Sequence, residues 1–245
     1  MSELTDRQLR WHRRIKRLRH PAWLGTLRRT SPLSSHWGFE RGTPIDRYYI
    51  EQFLDSHRTD ITGHVLEIKD SEYADQFGTD VTRCDVLDVD PQNAHATIIA
   101  DLADAPGVAS DQFDCFILTQ TLQFIYDAHA AVRNAYRILR PGGVLLLSVP
   151  VVSRLATRYG LEGDFWRFTP ASCNKLFGDV FGSDHITVQA HGNVLTGISF
   201  LAGMAREELS IRELETHDPY FPLLITVRAA KWQPKIGRGE FQLNA

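Results

Sequence analysis

The stretch that decides the fold is Tyr136-Arg-Ile-Leu-Arg-Pro-Gly-Gly-Val-Leu-Leu-Leu-Ser-Val-Pro150, which joins the end of a helix to a buried strand. The spacing i, i+3, i+4 and i+7 of one helix face is met by Val132, Ala135, Tyr136 and Leu139. Pro141 cannot continue that helix, and the two glycines tolerate the left-handed backbone of a helix exit. Residues 144–149 form a continuous apolar run, typical of a strand that is covered on both faces. The stretch therefore predicts an α/β protein.

Outward from this junction, short apolar runs alternate with helix-like segments. Strands are predicted at 65–68, 81–89, 97–100, 113–119, 144–149, 185–190 and 223–230, and helices at 4–20, 44–54, 71–77, 127–139, 170–181 and 193–215. This alternation predicts a mainly parallel sheet with right-handed crossovers. Ligands of such sheets bind beyond the carboxyl ends of the strands, so functional residues are expected there.

The bulk composition is that of a globular protein with an unusual charge distribution. The 245 residues are 43% hydrophobic and carry a net charge of −3, which favours no nucleic-acid partner, and we expect no binding to DNA. Residues 1–30 contain nine Arg or Lys and two acids, a net +7, so the rest of the chain carries −10. One α/β domain with a basic N-terminal extension fits this length.

Cysteine usage and hydropathy place the chain in a reducing compartment. The three cysteines are scattered, and their spacing suggests neither zinc nor a disulfide framework. No segment approaches a membrane span, and no apolar core follows the basic N-terminus as in a secretory signal. We therefore expect a cytoplasmic protein. No group of His and carboxylate residues has a metal-ligand spacing, so no metal is expected.

Polar side chains stand at four successive predicted strand ends. In chain order they are Glu67, Asp88 with Asp90, Asp101, and Thr119 with Gln120. A single acid after a strand is more often a turn or cap residue. Four polar ends in register instead favour one binding edge, and a carboxylate after the second strand suits a ribose diol, which offers two donors.

The Arg140-Pro-Gly-Gly143 junction and the acid that ends the second strand resemble class I S-adenosylmethionine-dependent methyltransferases. The order of elements extends the resemblance over residues 63–230. It implies a Rossmann-like, seven-stranded, mainly parallel sheet with helices on both faces and an antiparallel last strand. It also implies S-adenosylmethionine as cofactor and S-adenosylhomocysteine as product. Residues 1–60 are then predicted to be a basic arm and helical lid, and 61–245 the methyltransferase domain.

The resemblance also implies roles for individual residues. Asp88 is expected to bind the ribose, with Asp90 as the alternative, and Asp101 the adenine amino group. Glu67 is expected to act on the methionine amino end through its neighbours. The full predicted cofactor set is Glu67, Ile68, Lys69, Asp88, Val89, Asp101, Leu102, Thr119, Gln120 and Tyr48.

One departure from the family pattern is the loop after the first strand, Lys69-Asp-Ser-Glu-Tyr-Ala-Asp75, which contains no glycine. The family usually has glycine there because the backbone approaches the cofactor closely. The loop argues against a nicotinamide dehydrogenase, whose phosphates need a glycine-rich turn. It conflicts less with S-adenosylmethionine, which has no phosphates. A cofactor-binding protein without methyl transfer, a scaffold or a non-methylating catalyst such as a cyclase, is the alternative.

Three regions are candidates for the acceptor pocket. In residues 41–49, the side chains of Arg41, Arg47, Tyr48 and Tyr49 bind the methionine carboxylate or the substrate, unless the two tyrosines only pack their helix. In residues 163–170, Trp166 and Arg167 suit the wall of a pocket for a sugar or an aromatic ring. His191 is the candidate general base, because it follows a strand and neutral histidine is the usual base near pH 7.

The N-terminal segment 4–20 is predicted to be a basic amphipathic helix. It contacts either the acidic body of its own chain or an anionic membrane surface, and RNA is a third alternative. The predicted function is transfer of a methyl group from S-adenosylmethionine to a hydroxyl of a small molecule or glycan, in secondary-metabolite or glycan biosynthesis. An RNA methyltransferase is a further alternative that the basic arm suggests.

Overall fold

The computed structural model describes residues 6–19, 25, 28–156 and 160–233. Its strands are β1 Gly63–Ile68, β2 Val81–Asp88, β3 Ile98–Ile99, β4 Phe113–Thr119, β5 Leu139–Pro150, β6 Ile186–His191 and β7 Leu224–Ala230. Its helices are α1 Asp6–Arg19, α2 Ile45–Ser56, α3 Glu72–Phe77, α4 Ala128–Ile138, α5 Pro170–Phe181, α6 Val194–Ala202 and α7 Ile211–Glu215.

The strands form one seven-stranded sheet in the order β3-β2-β1-β4-β5-β7-β6. Neighbouring strands from β3 to β5 are parallel, whereas β7 is antiparallel to both β5 and β6. The predicted fold class, including the antiparallel last strand, is confirmed. Among the described helices, none is both long and apolar enough to cross a membrane.

The junction between α4 and β5 lies earlier than the sequence predicts. The helix ends at Ile138, and Leu139 already pairs with Phe113 of β4, so the chain is extended before it reaches Pro141. The predicted helix 127–139 is thus one residue too long at this end, and the predicted strand 144–149 begins five residues too late. Gly143 is needed here for close packing, since a Cβ atom at this position would lie 2.8 Å from the Phe113 carbonyl oxygen.

Helices cover both faces of the sheet. α4 and α5 pack on one face, with Val132 and Phe177 fully buried, and α2 and α3 contribute to the core on the other. α2 buries Ile45, Tyr48, Tyr49, Ile50, Phe53 and Leu54. It is therefore part of the core, whereas the sequence prediction placed it in a lid outside the domain that begins at residue 61.

The predicted helical segment 193–215 is two helices. Gly203 ends α6 with a φ of 77°, and a Cβ atom there would lie 2.4 Å from the Ser34 carbonyl oxygen. Asn193 caps the start of α6 and Ser210 caps the start of α7. The break at Gly203 brings residues 33–35 against the end of α6, since Leu33 N donates to the Ala202 carbonyl oxygen (2.6 Å).

Candidate functional site

A cavity of about 1140 Å³ lies at the carboxyl edge of β1 to β5. The strand ends that line it include Ile68, Asp88, Ala100, Thr119 and Pro150. Segments from 37–50, 120–127 and 153–167 complete its walls. Pockets for one drug-sized ligand measure roughly 300 to 1000 Å³, so this cavity has room for a nucleoside and a second small molecule.

Asp88 is held in place at the end of β2. Its Oδ1 accepts a hydrogen bond from Asp90 N (3.0 Å) and its Oδ2 one from Asn93 Nδ2 (2.7 Å). Each carboxylate oxygen can accept a second bond, so Asp88 can still receive the two hydroxyls of a diol. Asp90 lines a smaller adjoining recess instead of the main cavity, which favours Asp88 over Asp90 as the diol ligand.

The end of β3 adds an acid and exposed apolar side chains. Asp101 lines the cavity, and its Oδ1 accepts from Ala103 N (2.9 Å). Val89 and Ile99, which also line the cavity, are 58% and 50% exposed. Exposed apolar side chains beside an acid suit a flat, polar-edged ring such as a purine. Leu102, which was predicted, lines the same region. Ile99 is a lining residue of the cavity that sequence reasoning missed.

The glycine-free loop after β1 makes its turn at Lys69, which has a φ of 74°. This left-handed conformation usually favours glycine, so a lysine here is strained. Behind the loop, Glu67 is 2% exposed and accepts bonds from Tyr73 N (3.0 Å) and Ala74 N (2.8 Å) at the start of α3. Burial raises the pKa of Glu67 to about 8, although the hydrogen bonds from these two donors act to lower it. Its carboxyl group is occupied by the backbone and holds the loop in place.

The end of β4 presents Thr119 and Gln120 to the cavity, and Gln120 N donates to the Ser148 carbonyl oxygen (2.9 Å). Gln123, which sequence reasoning missed, also lines the cavity and is 5% exposed. Its Nε2 donates to the Gln120 carbonyl oxygen (2.8 Å), whereas its Oε1 has no partner within the described part of the chain. A buried acceptor without a partner costs about 1 to 3 kcal/mol, so this oxygen is a place for a ligand donor.

Aromatic side chains line the other half of the cavity. Phe39, Tyr126 and Phe165 are 55%, 72% and 43% exposed, and the rings of Tyr126 and Phe165 lie 5.3 Å apart. Trp166 is not among the lining residues. It stacks on Tyr126 at 6.2 Å and donates its Nε1 hydrogen to the Ile125 carbonyl oxygen (3.1 Å). Trp166 thus supports the wall that the sequence prediction assigned to it, and Tyr126 with Phe165 forms that wall.

Arg167 lines the cavity but is already paired. It forms two bonds with Asp164, of 2.5 and 3.1 Å, and a third to the Arg154 carbonyl oxygen (3.0 Å). Burial opposes ionisation of Asp164, but Arg167 and Ala156 N hold its pKa below its usual value. The pair fixes the loop between β5 and α5. A role as the free anchor for a substrate is therefore not supported.

His191 lies away from the cavity lining. Its Nε2 is 2.8 Å from Thr226 Oγ1, and its ring lies 5.7 Å from that of Tyr49. Burial, with a smaller repulsion from His217, lowers the pKa of His191 to about 4. Tyr49 is 3% exposed and donates its hydroxyl hydrogen to the Leu214 carbonyl oxygen (2.8 Å). These positions do not support His191 as the base or Tyr49 as a substrate ligand, because Tyr49 packs in the core and the half-buried His191 lies beside it, outside the cavity lining.

Two further residues of the segment 41–49 are also outside the lining. Arg41 forms an ion pair with Glu208, and Tyr48 is 6% exposed within the core. The structure therefore does not support Arg41 as a substrate ligand or Tyr48 as a cofactor ligand. Sequence reasoning could not separate these side chains from their neighbours, because the face of α2 that meets the cavity depends on tertiary packing.

The residues of α2 that do line the cavity are Asp46, Arg47 and Ile50. Asp46 Oδ1 accepts from Arg47 N (3.0 Å), and burial raises the pKa of Asp46 to about 6. Arg47 bonds Glu72 (3.1 Å) and packs between the rings of Phe39 and Tyr73 at 5.5 and 5.7 Å. Asp46 was not among the predicted site residues, although an acid at the start of a helix before the sheet is visible in the sequence.

Residues 59–147 match the family model of the methyltransferase domain. Over 60 residues the chain is 40% identical to the ubiquinone/menaquinone biosynthesis C-methyltransferase UbiE of Pectobacterium atrosepticum, covering 23% of this chain and 24% of that protein. The chain thus matches about a quarter of the length of the curated relatives.

Two solved structures show the same fold. One is a methyltransferase of Haloferax volcanii, described as putative and solved in complex with the Trm112 methyltransferase activator (20% identity, TM-score 0.51, 76% of this chain and 91% of that one). The other is an S-adenosylmethionine-dependent methyltransferase of Mesorhizobium loti (18% identity, TM-score 0.50, 76% of this chain and all of that one).

The residues that line the cavity fit the cofactor that this family implies. Asp88 can receive a ribose diol, Asp101 an amino group, and the unpartnered Gln123 Oε1 a further donor. No group of three metal-ligating side chains was found within the described residues. The chain therefore has the class I S-adenosylmethionine-dependent methyltransferase fold, with a methyltransferase-domain sequence over residues 59–147 and S-adenosylmethionine as the implied cofactor.

Proposed function

We propose that this protein transfers a methyl group from S-adenosylmethionine to a hydroxyl of a small, ring-shaped acceptor, giving S-adenosylhomocysteine. The observation that carries the proposal is the division of the cavity into two halves. One half presents Asp88 and Asp101 at successive strand ends, and the other presents the exposed rings of Tyr126 and Phe165.

The chemistry of the two halves matches the needs of methyl transfer. S-Adenosylmethionine supplies an electrophilic methyl group on a sulfonium, which a nucleophile displaces in line. The protein's contribution is to hold both partners in register and to exclude water. Strand-end residues such as Asp88 and Thr119 are fixed by the sheet, and the ion pair of Asp164 with Arg167 fixes the loop that carries Phe165.

The acceptor class follows from the aromatic half of the cavity. Ring faces such as those of Phe39, Tyr126 and Phe165 bind planar or ring-shaped molecules, including sugars and phenols. The matched relatives are named as C-methyltransferases of ubiquinone and menaquinone biosynthesis. Methylation of a carbon atom of the acceptor, instead of a hydroxyl, is therefore the alternative outcome.

Calorimetric titration with S-adenosylmethionine tests the cofactor site. Asp88→Ala removes the diol acceptor, and we expect affinity to fall about 10- to 100-fold, since a hydrogen bond to a charged group contributes about 1.5 to 3 kcal/mol. Asp90→Ala is the matched control, because Asp90 lines only the smaller recess. Absence of binding to the wild-type protein, or equal loss in both variants, would contradict the proposed site.

Product analysis with a methyl-labelled cofactor tests the reaction. Labelled product from phenolic or sugar acceptors supports hydroxyl methylation. Cofactor binding without S-adenosylhomocysteine formation, across acceptors, would favour the non-methylating alternative that the glycine-free loop suggests. An RNA mobility shift that weakens with salt would instead favour an RNA acceptor.

A further inference from the structure

The cavity is lined by eight carboxylic side chains, and most of them already have a structural partner. They are Asp46, Glu67, Asp70, Glu72, Asp88, Asp101, Asp127 and Asp164. The amino-acid end of S-adenosylmethionine carries an ammonium group, which needs an acceptor with free lone pairs. The hydrogen bonds that these eight groups already form decide which of them can supply it.

Four of the eight are committed to the fold. Both oxygens of Glu67 accept from the backbone of α3, and Asp164 is paired with Arg167. Glu72 receives two bonds from Arg47, and Asp127 caps α4 by accepting from Ala130 N (2.8 Å). Moving any of these toward a ligand would break a helix cap or an ion pair.

Three more lie at the nucleoside end. Asp88 ends β2 and Asp101 follows β3, on the side of β1 away from β4. Asp70 lines the smaller recess together with Asp88, and its Oδ1 accepts from Glu72 N (3.2 Å). These acids suit the ribose and the adenine, and they leave Asp46 as the remaining carboxylate.

Asp46 lines the cavity from the first turn of α2. Its neighbour Arg47 bonds Glu72 in the first turn of α3, so the start of α2 lies against the turn that follows β1. The Arg47 guanidinium also lies 5.7 Å from the centre of the Tyr73 ring, so the start of α2 packs beside α3. Asp46 therefore lies in the cavity wall beside the turn that follows β1, along which a cofactor with its ribose at Asp88 would extend its amino-acid arm.

The backbone at Asp46 is fixed before any ligand arrives. Pro44 forms a β-bridge with Ala205, and Ile45 and Ile50 are 0% and 2% exposed. The Asp46 carboxylate accepts a hydrogen bond from Arg47 N at Oδ1 (3.0 Å), and its two oxygens together can accept further bonds. A half-buried carboxylate with remaining acceptor capacity is suited to a cation, because desolvation strengthens a charge-assisted bond.

We propose that Asp46 receives the ammonium group of the methionine moiety and so fixes the amino-acid arm of the cofactor. The inference rests on the proposed function for the identity of the cofactor and goes beyond it by assigning the acid. α2 then contributes a rigid wall of the cofactor site, in place of a glycine-rich loop after β1.

Two ligands that differ in the amino-acid end test this assignment by calorimetry. S-Adenosylhomocysteine carries the ammonium group, and 5′-methylthioadenosine lacks the whole amino-acid end. We expect Asp46→Asn to weaken S-adenosylhomocysteine about 10- to 100-fold while 5′-methylthioadenosine changes less than about twofold. The matched control is Glu51→Gln, which removes a charge of the same sign from α2 near Tyr73 but outside the cavity lining. It should leave both affinities within about threefold.

The pair of ligands separates the outcomes. Equal weakening of both ligands by Asp46→Asn, or no weakening of either, would overturn the assignment while the cofactor site stands. Failure of the wild-type protein to bind either ligand would overturn the proposed function itself. Because the comparison is made between two ligands within one variant, a modest loss of folded protein does not alter it. If Asp46→Asn does not fold, Asp46→Ser is measured in the same way.

Discussion

At the scale of single residues, His191 illustrates how burial changes what a titratable group does. Its pKa is lowered from 6.5 to about 4 by burial, with a smaller repulsion from His217. The folded protein therefore keeps His191 neutral at a pH where the unfolded chain binds a proton. Stability rises with pH where the unfolded state binds more protons, so this group makes the fold less stable as pH falls from about 6.5 to 4.

The expected loss between pH 7.5 and pH 5 is about 1 to 2 kcal/mol of unfolding free energy, since each pH unit below 6.5 contributes at most about 1.4 kcal/mol and the side chain is only partly buried. Urea unfolding of the wild type and of His191→Gln near pH 7.5 and pH 5 measures it. The glutamine variant retains a partner for Thr226 and should lose this part of the pH dependence. An identical pH dependence in both proteins would show that His191 does not titrate in this way.

Asp46 has the opposite kind of shift, because burial raises the pKa of this acid to about 6. The ionised form is needed to bind an ammonium group, so affinity for S-adenosylhomocysteine should fall as pH falls through about 6. The charged groups around it are Arg47 and Glu51 on α2, Glu72 on α3, and Lys69 with Asp70 on the loop after β1.

We expect the dissociation constant to be about tenfold larger near pH 5 than near pH 7.5. At one pH unit below its pKa, only about a tenth of the Asp46 carboxyl group is ionised. The same titration with Asp46→Asn should be flat over this range, and with 5′-methylthioadenosine the wild type should also be flat. A wild-type affinity that does not change with pH would contradict an ionised Asp46 as the ligand.

Part of the site could be predicted from the sequence because it depends on where strands end. Asp88, Asp101, Thr119 and Gln120 line the cavity because parallel strands bring their carboxyl ends to one edge. Tyr48, placed at the cofactor by the sequence prediction, is buried in the core, and Asp46, two residues earlier, lines the cavity. Local sequence does not specify which face of α2 meets the cavity.

At the scale of elements, the turn between β1 and α3 shows how a loop without glycine reverses direction. Lys69 has a φ of 74°, which costs a residue with a side chain about 1 to 2 kcal/mol. Replacing Lys69 with glycine removes that strain. It also makes the unfolded chain more flexible, and this lowers the free energy of unfolding by about 0.4 to 1 kcal/mol.

The net expectation for Lys69→Gly is a stabilisation of about 0.5 to 1 kcal/mol, or a rise of roughly 1 to 4 °C in the unfolding temperature. Lys175→Gly is the matched control, because Lys175 lies inside α5 and pairs with Asp179 (2.8 Å). It should destabilise the protein by about 1 kcal/mol. If both variants lose stability by the same amount, the turn is not strained at Lys69.

Among the elements, strands and helices were predicted better than the roles of the segments that precede the sheet. β4 and α5 begin and end where the sequence predicts, and in the structure Thr169 caps α5 with Pro170 as its first residue. α2 was predicted as a helix at the right place but assigned to a lid. An amphipathic pattern indicates that one face of a helix is buried, but it does not indicate which part of the protein that face packs against.

At the scale of the whole molecule, the site lies where the strand order reverses. β2 and β3 extend from β1 in one direction, and β4 and β5 extend from it in the other. The connections on either side of β1 therefore diverge and leave a crevice at the carboxyl edge. The cavity joins both sides of this crevice, since Asp88 and Asp101 come from one half of the sheet and Thr119 with Pro150 from the other.

The N-terminal helix α1 contributes no described residue to the cavity lining. No described side chain of α1 belongs to either core cluster, and Trp11 and Leu18 are 63% and 73% exposed. Exposed basic residues Arg14, Lys16 and Arg17 lie on the same helix. A basic helix with exposed apolar side chains is suited to an anionic lipid surface.

Deletion of residues 1–24 should therefore separate surface binding from the cofactor site. The unfolding temperature and the affinity for S-adenosylhomocysteine should remain as in the full chain, because α2 and the strand ends are retained. Co-sedimentation with vesicles containing anionic lipid at low salt should be lost, and vesicles of neutral lipid are the control for purely apolar binding. If the full chain does not bind anionic vesicles, attraction of the basic helix to the acidic remainder of its own chain becomes the better explanation.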